Sequence, residues 1–203
     1  MLLDVERAQL VLVDYQAKLM PAIFEAQQVL QRAAILGQLA TLFDVPCWGT
    51  EQNPAKLGAN DARVRAACRE TFAKMYFGAC AEPDLVQALR PPVKPAGGNA
   101  RSLPRHLQKS REQPQQPSRD QILVAGCEAH VCLLQTALGL LEEEFEVWVV
   151  TDACSSRSER DRDAAFDRLA GAGVELVTTE MVAFEWCQTA EDPRFKQVLA
   201  LIK

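Results

Sequence analysis

Histidine is scarce in this chain: 203 residues contain two, His106 and His130, too few for a histidine-based metal site of the usual kind. Seven cysteines, at 47, 68, 80, 127, 132, 154 and 187, form no C-x-x-C pair, which removes zinc ribbons and thioredoxin-like redox chemistry. An odd, irregularly spaced set reads mostly as reduced core residues. Positive charge is in deficit, with 22 Lys and Arg against 27 Asp and Glu; a net charge of −5 argues against a general nucleic-acid binder. No run approaches the ~18 apolar residues that a membrane span requires. Asp4, Glu6 and Arg7 interrupt the first ten residues, so no signal-peptide core is expected there and the reading is cytoplasmic.

What is present is a globular composition, 48% hydrophobic and 24% charged. At this length one α/β domain over residues 1–203 is expected. The run Ala8, Gln9, Leu10, Val11, Leu12, Val13 is too short for a helix and fits a strand buried on both faces. Helical spacing of Ile23, Val29, Leu30, Ala33, Leu36, Leu39, Ala40 and Phe43 predicts a crossover helix over 23–43, and 45–50 then reads as a second strand. A loop is expected over 51–58, a short helix over 82–90, and strands over 121–125, 145–151 and 174–177. A helix is expected over 161–170. This alternation predicts an α/β doubly wound, Rossmann-like parallel sheet with helices on both faces.

Between Pro91 and Asp120 the composition changes, with six of the eleven prolines and a cluster of basic residues. A flexible, solvated Pro-rich insert is expected at about 91–120.

The chemistry concentrates in Gly126, Cys127, Glu128, Ala129, His130, Val131 and Cys132, which follow the strand at 121–125 and lead into an apolar helix. Cys132 is thereby placed at a helix N-terminus, where unpaired N–H groups and the helix dipole favour a thiolate and should lower its pKa. Taken singly, each candidate also has an ordinary reading. Cys132 can be a small buried hydrophobe, Asp14 at the end of the first strand a turn cap, and Lys74 a solvated surface charge.

Together, Asp14 with Gln16, Lys74 ahead of Phe77 and Gly78, and the loop ending at Cys132 resemble the isochorismatase-like cysteine hydrolase family, and closest to it the subgroup without a characterised substrate. The resemblance covers nearly the whole chain outside the insert. It implies the isochorismatase-like hydrolase fold and an Asp14, Lys74, Cys132 catalytic triad acting on an amide-like C–N bond of a small molecule through a thioester-type intermediate. It also implies a non-proline cis peptide between Cys127 and Glu128, with Cys127, Glu128 and Ala129 in the oxyanion loop. Gln16, Gln52, Phe77 and His130 become substrate-pocket candidates.

The implied partners are a small-molecule substrate and further copies of the chain, without nucleic acid, membrane or cofactor. The 178–186 run, similar to one near subunit contacts in relatives, makes Phe184 and Trp186 candidates for either an interface or the core. Gly78 stands where the family often has Ser, the insert is longer than usual, and the D-x-H metal pattern of related nicotinamidases is missing after the second strand. Rival readings are a catalytically silent oligomeric binding protein and a redox-sensing thiol protein.

Because the metal pattern is missing, turnover should survive exhaustive chelation. Loss of activity with EDTA, restored by zinc, would overturn that expectation.

Overall fold

The computed structural model describes residues 1–90 and 119–203; the body of the expected insert lies outside the described residues. Strand β1, Ala8–Val13, is buried at every position, as is β4, Gln121–Gly126. The two pair in parallel at the centre of the sheet, Ala8 opposite Gln121 through Val13 opposite Gly126. Around them lie β2, Cys47–Gln52, β3, Glu70–Lys74, β5, Glu146–Val150, and β6, Glu175–Val177. The six-stranded sheet has the order β3-β2-β1-β4-β5-β6, and every pairing is parallel. The chain winds outward from β1 toward one edge and from β4 toward the other. Crossovers of one hand therefore put their helices on opposite faces, and a crevice opens at the carboxyl ends between β1 and β4.

Helix α1, Ala26–Leu42, buries Val29, Leu30, Ala33, Leu36, Leu39 and Ala40, the stripe its sequence spacing predicts. It stops where Asp44 turns left-handed at φ 54° and the Val45 N–H returns to the Ala40 carbonyl at 2.8 Å, satisfying a helix-end carbonyl. The short helices α2, Pro54–Leu57, α3, Ala62–Arg65, and α4, Pro83–Leu89, follow. Helix α5, Leu134–Glu142, packs with α6, Glu159–Gly171. α7, Thr179–Cys187, and α8, Phe195–Ile202, close on α1. No helix among the described residues is long and apolar enough to cross a membrane.

Several expectations shift. The second strand lies two residues later than predicted, so Glu51 and Gln52 belong to the sheet rather than a loop. β3 was not predicted, because Glu70, Thr71, Phe72, Ala73 and Lys74 form an edge strand whose burial comes from one neighbour and leaves little apolar pattern. At the end of the expected insert, Arg119 and Asp120 are fixed. Arg119 Nη1 donates to the carbonyls of Val5 and Ala8, and Asp120 pairs with Arg7 at 2.9 Å. Trp186 is core, 1% exposed and edge-on to Phe43, whereas Phe184 is 42% exposed.

At the centre of the crevice Gly126 allows β4 to lie against β1: a Cβ there would press on the Val13 carbonyl oxygen and side chain. Gly126→Ala should therefore lower unfolding free energy by roughly 1–3 kcal/mol, the usual cost of overpacking. A urea melt with an unchanged midpoint would refute the close approach.

Candidate active site

Four adjacent strands deliver the candidate side chains to one crevice. Asp14 directly follows β1, β3 ends at Lys74, and β2 between them supplies Thr50 and Gln52. The fourth contribution comes after β4, where the chain turns through Cys127, Glu128 and the π-helical turn Ala129–Leu133 that carries Cys132. The Cys127–Glu128 peptide bond is cis.

Asp14 has a left-handed backbone, φ 55°, a conformation that Asp tolerates better than most residues and that turns its side chain off the strand end. Its carboxylate is fully buried. Oδ1 accepts a hydrogen bond from Thr50 Oγ1 at 2.7 Å, and Oδ2 lies 2.7 Å from Lys74 Nζ. The ammonium aims its hydrogen bonds elsewhere, at Gln52 Oε1 (2.8 Å) and the Phe77 carbonyl (3.0 Å). Oδ2 thus meets the Lys74 charge at close range, and the carboxylate also interacts with the Cys132 thiol. Gln52 and Lys74 are partners across the β2–β3 ladder, so the sheet register sets this contact.

Cys132 borders the ion pair and is 6% exposed. The expected fall in its pKa does not occur: burial, then the Asp14 carboxylate, push the thiol up to about 12, with Lys74 pulling the other way. The helix end cannot compensate, since the dipole contributes at most about 2 kcal/mol while desolvation of a buried group can move a pKa by several units. Cys127 is likewise pushed up to about 12, by burial first.

Within the turn, most backbone donors are engaged. The Ala129 N–H donates to the Ser155 carbonyl at 2.8 Å, His130 N–H to Ser156 Oγ at 3.3 Å, and Val131 N–H to the Glu128 carbonyl at 3.0 Å. Among the described residues, the N–H groups of Glu128 and Cys132 have no partner outside their own turn. The Glu128 carboxylate is tied to Arg157 Nε at 2.7 Å.

The pocket candidates separate. Gln16 is buried and its amide is used by the protein, donating to the carbonyls of Gln52 (3.0 Å) and Gly58 (2.6 Å) and accepting from the Gln52 N–H (2.8 Å). It supports the crevice rather than presenting a free polar atom. Gln52 orients Lys74, and His130 Nδ1 lies 2.9 Å from Ser156 Oγ. Phe77 is 53% exposed and lines a groove of about 580 Å³ with Met75, Tyr76, Gln135 and Leu138, a groove that none of Asp14, Lys74 and Cys132 lines. Sequence reading missed Thr50 and Ser156. A hydroxyl in a strand or turn looks ordinary until the carboxylate or imidazole it serves is placed beside it.

A family model described as the isochorismatase domain matches residues 8–181. The chain belongs to the isochorismatase family. Isochorismatase domain-containing protein 2 of Danio rerio is 35% identical over 98% of this chain and 89% of its own length. Protein 2A of Mus musculus is 33% identical over 98% and 84%. Among solved structures, the Mar1 ribonuclease of Caenorhabditis elegans superposes with a TM-score of 0.82 at 27% identity, covering 100% of this chain and 92% of that one. YcaC of Escherichia coli, described as an octameric hydrolase of unknown specificity, gives 0.79 at 26% identity, covering 98% and 88%.

For this member of the isochorismatase family, iodoacetamide labelling of Cys132 in the folded protein should be slow at neutral pH. It should rise about tenfold per pH unit toward the high thiol pKa. Asp14→Asn removes the charge that helps hold the thiol protonated and should speed labelling at a fixed pH. Peptide mapping that found Cys132 labelled at pH 7 as fast as a free cysteine would contradict this.

Proposed function

We propose that the protein is a cysteine hydrolase that cleaves an amide-like C–N bond of a small molecule, with Cys132 as nucleophile and Asp14 and Lys74 as its partners. The observation that carries this reading is the placement of a buried thiol against a buried Asp14–Lys74 pair 2.7 Å apart. A thiol that rests protonated needs a base at the moment of attack, and the Asp14 carboxylate, which already interacts with that thiol, can accept the proton.

Cys132 Sγ then bonds to the carbonyl carbon as its proton passes to Asp14. The carbonyl oxygen becomes an oxyanion, for which the N–H groups of Glu128 and Cys132 are the candidate donors. Collapse breaks the C–N bond, Asp14 returns the proton to the departing amine, and a thioester remains. Water, losing a proton to Asp14, adds to the thioester. The carboxylic acid leaves and the thiol is restored. Lys74 holds the carboxylate in place and offsets its charge throughout, while Thr50 fixes the other oxygen.

This reading accommodates Cys132 better than a redox-sensing role. Peroxide sensing requires a resting thiolate, which burial opposes here. The C. elegans relative is described as a ribonuclease, yet the Lys74 ammonium is already held by Asp14, Gln52 and Phe77, and leaves little free charge for RNA phosphates. Assembly into a homo-oligomer belongs to the same proposal. It is motivated by the octameric E. coli relative, and the exposed Met75, Tyr76 and Phe77 are the apolar run that contact would cover.

Against a panel of small amides and related C–N compounds, the wild-type protein should release amine and form a mass-detectable acyl adduct on Cys132. Cys132→Ala should do neither, and Asp14→Asn should lose on the order of 10²–10⁴ in turnover. Full activity of Cys132→Ala, or strand cleavage of RNA without any acyl adduct, would defeat the proposal.

A further inference from the structure

At the opposite ends of β2 and β3 from the candidate active site lies a second thiol centre. Cys47 opens β2, and Cys68 ends the turn that leads into β3. Their Sγ atoms are 3.9 Å apart, Cys47 fully buried and Cys68 half-buried. The backbones run together here, with the Arg69 N–H donating to the Cys47 carbonyl at 2.8 Å.

The packing makes room for this pair. Gly49 shares a face of β2 with Cys47, and a Cβ at 49 would lie 3.1 Å from Cys68 Sγ and 2.9 Å from Thr71 Oγ1. A side chain there would crowd both the Cys68 thiol and the Thr71 hydroxyl. On the other side the turn is pressed to α1 where Gly37 meets Ala67; a Cβ on Gly37 would come within 2.5 Å of the Ala67 methyl. The two sulfurs are therefore held as neighbours from both sides.

We propose that Cys47 and Cys68 form a reversible disulfide, a peroxide-responsive modification site separate from Cys132. Cys68 is the attacking thiol, being the less buried of the two. At rest its thiol donates to the Val64 carbonyl at 3.3 Å; its interaction with Cys47, then Thr71 and the Arg65 charge, draw its pKa down against burial and Glu51, while the same interaction and burial raise that of Cys47. Cys68 thiolate attacks one oxygen of hydrogen peroxide, the O–O bond breaks, and hydroxide leaves as Cys68 becomes a sulfenic acid. Cys47 sulfur then bonds to Cys68 sulfur, the S–O bond breaks, and the Cys47 proton leaves with the departing oxygen as water. Two thiols and one peroxide give one disulfide and two waters. The sulfurs must close from 3.9 Å to about 2.05 Å, a movement within the reach of side-chain rotation and a small shift of the turn.

The test is peroxide titration of the folded protein, removal of peroxide, alkylation with N-ethylmaleimide in denaturant, and peptide mapping. The expected result is a linked Cys47–Cys68 peptide about 2 Da lighter than the sum of its reduced parts, formed equally in Cys132→Ala and reversed by dithiothreitol. Cys68→Ser should abolish the link; Cys47→Ala should instead leave Cys68 as a sulfenic acid that dimedone traps, which reports on the attacking thiol even if Cys68→Ser folds poorly. Both thiols remaining fully alkylatable after peroxide, or the link forming only with Cys132, would overturn the proposal. Its outcome is independent of any hydrolytic activity.

Discussion

The buried ion pair between Asp14 and Lys74 is the constraint around which the crevice is built. Neither side chain reaches water, so each charge must be met inside the protein. Thr50, Gln52 and the Phe77 carbonyl meet what the two charges do not give each other. An intact buried pair returns little net stability, because desolvation offsets the attraction. Removing one partner alone typically costs about 3–5 kcal/mol, since the other is left charged and unpaired. Such a pair ties three neighbouring strand ends into one unit, and the β3-β2-β1 order brings those ends together.

Cys132 shows how magnitude decides between two sound arguments. A helix start favours a thiolate, and the turn after β4 does lead into α5. That turn, however, engages most of its own N–H groups, and the thiol sits under the fold beside a carboxylate. Desolvation and like charge therefore prevail over a dipole of modest strength. A protonated resting nucleophile beside a poised base follows, and the proton moves only when a substrate is attacked.

The relation between the two cysteine centres follows from strand polarity. Parallel strands put all their carboxyl ends on one side, where Asp14, Lys74 and the Cys132 turn collect, and their amino ends on the other, where Cys47 and Cys68 meet. One sheet thus keeps a candidate hydrolytic thiol and a dithiol apart while sharing β2 and β3 between them.

Local pattern alone determined the buried strands β1 and β4, the α1 stripe, the helix after the Cys132 turn and hence the doubly wound fold, because apolar periodicity records burial directly. Asp14, Lys74 and Cys132 were legible as a set only through resemblance; singly, each had an ordinary reading. Tertiary structure decided the rest. β3 escaped notice because an edge strand lacks a buried pattern, and β2 was placed two residues early because its register depends on β1 and β3 rather than on its own residues. Thr50 beneath Asp14, Gln52 on Lys74, the engaged Gln16 amide, the core position of Trp186 and the high pKa of Cys132 all arise from groups distant in sequence. Hydrogen bonds, dielectric surroundings and charge act through space, so they exist only once the strands are side by side.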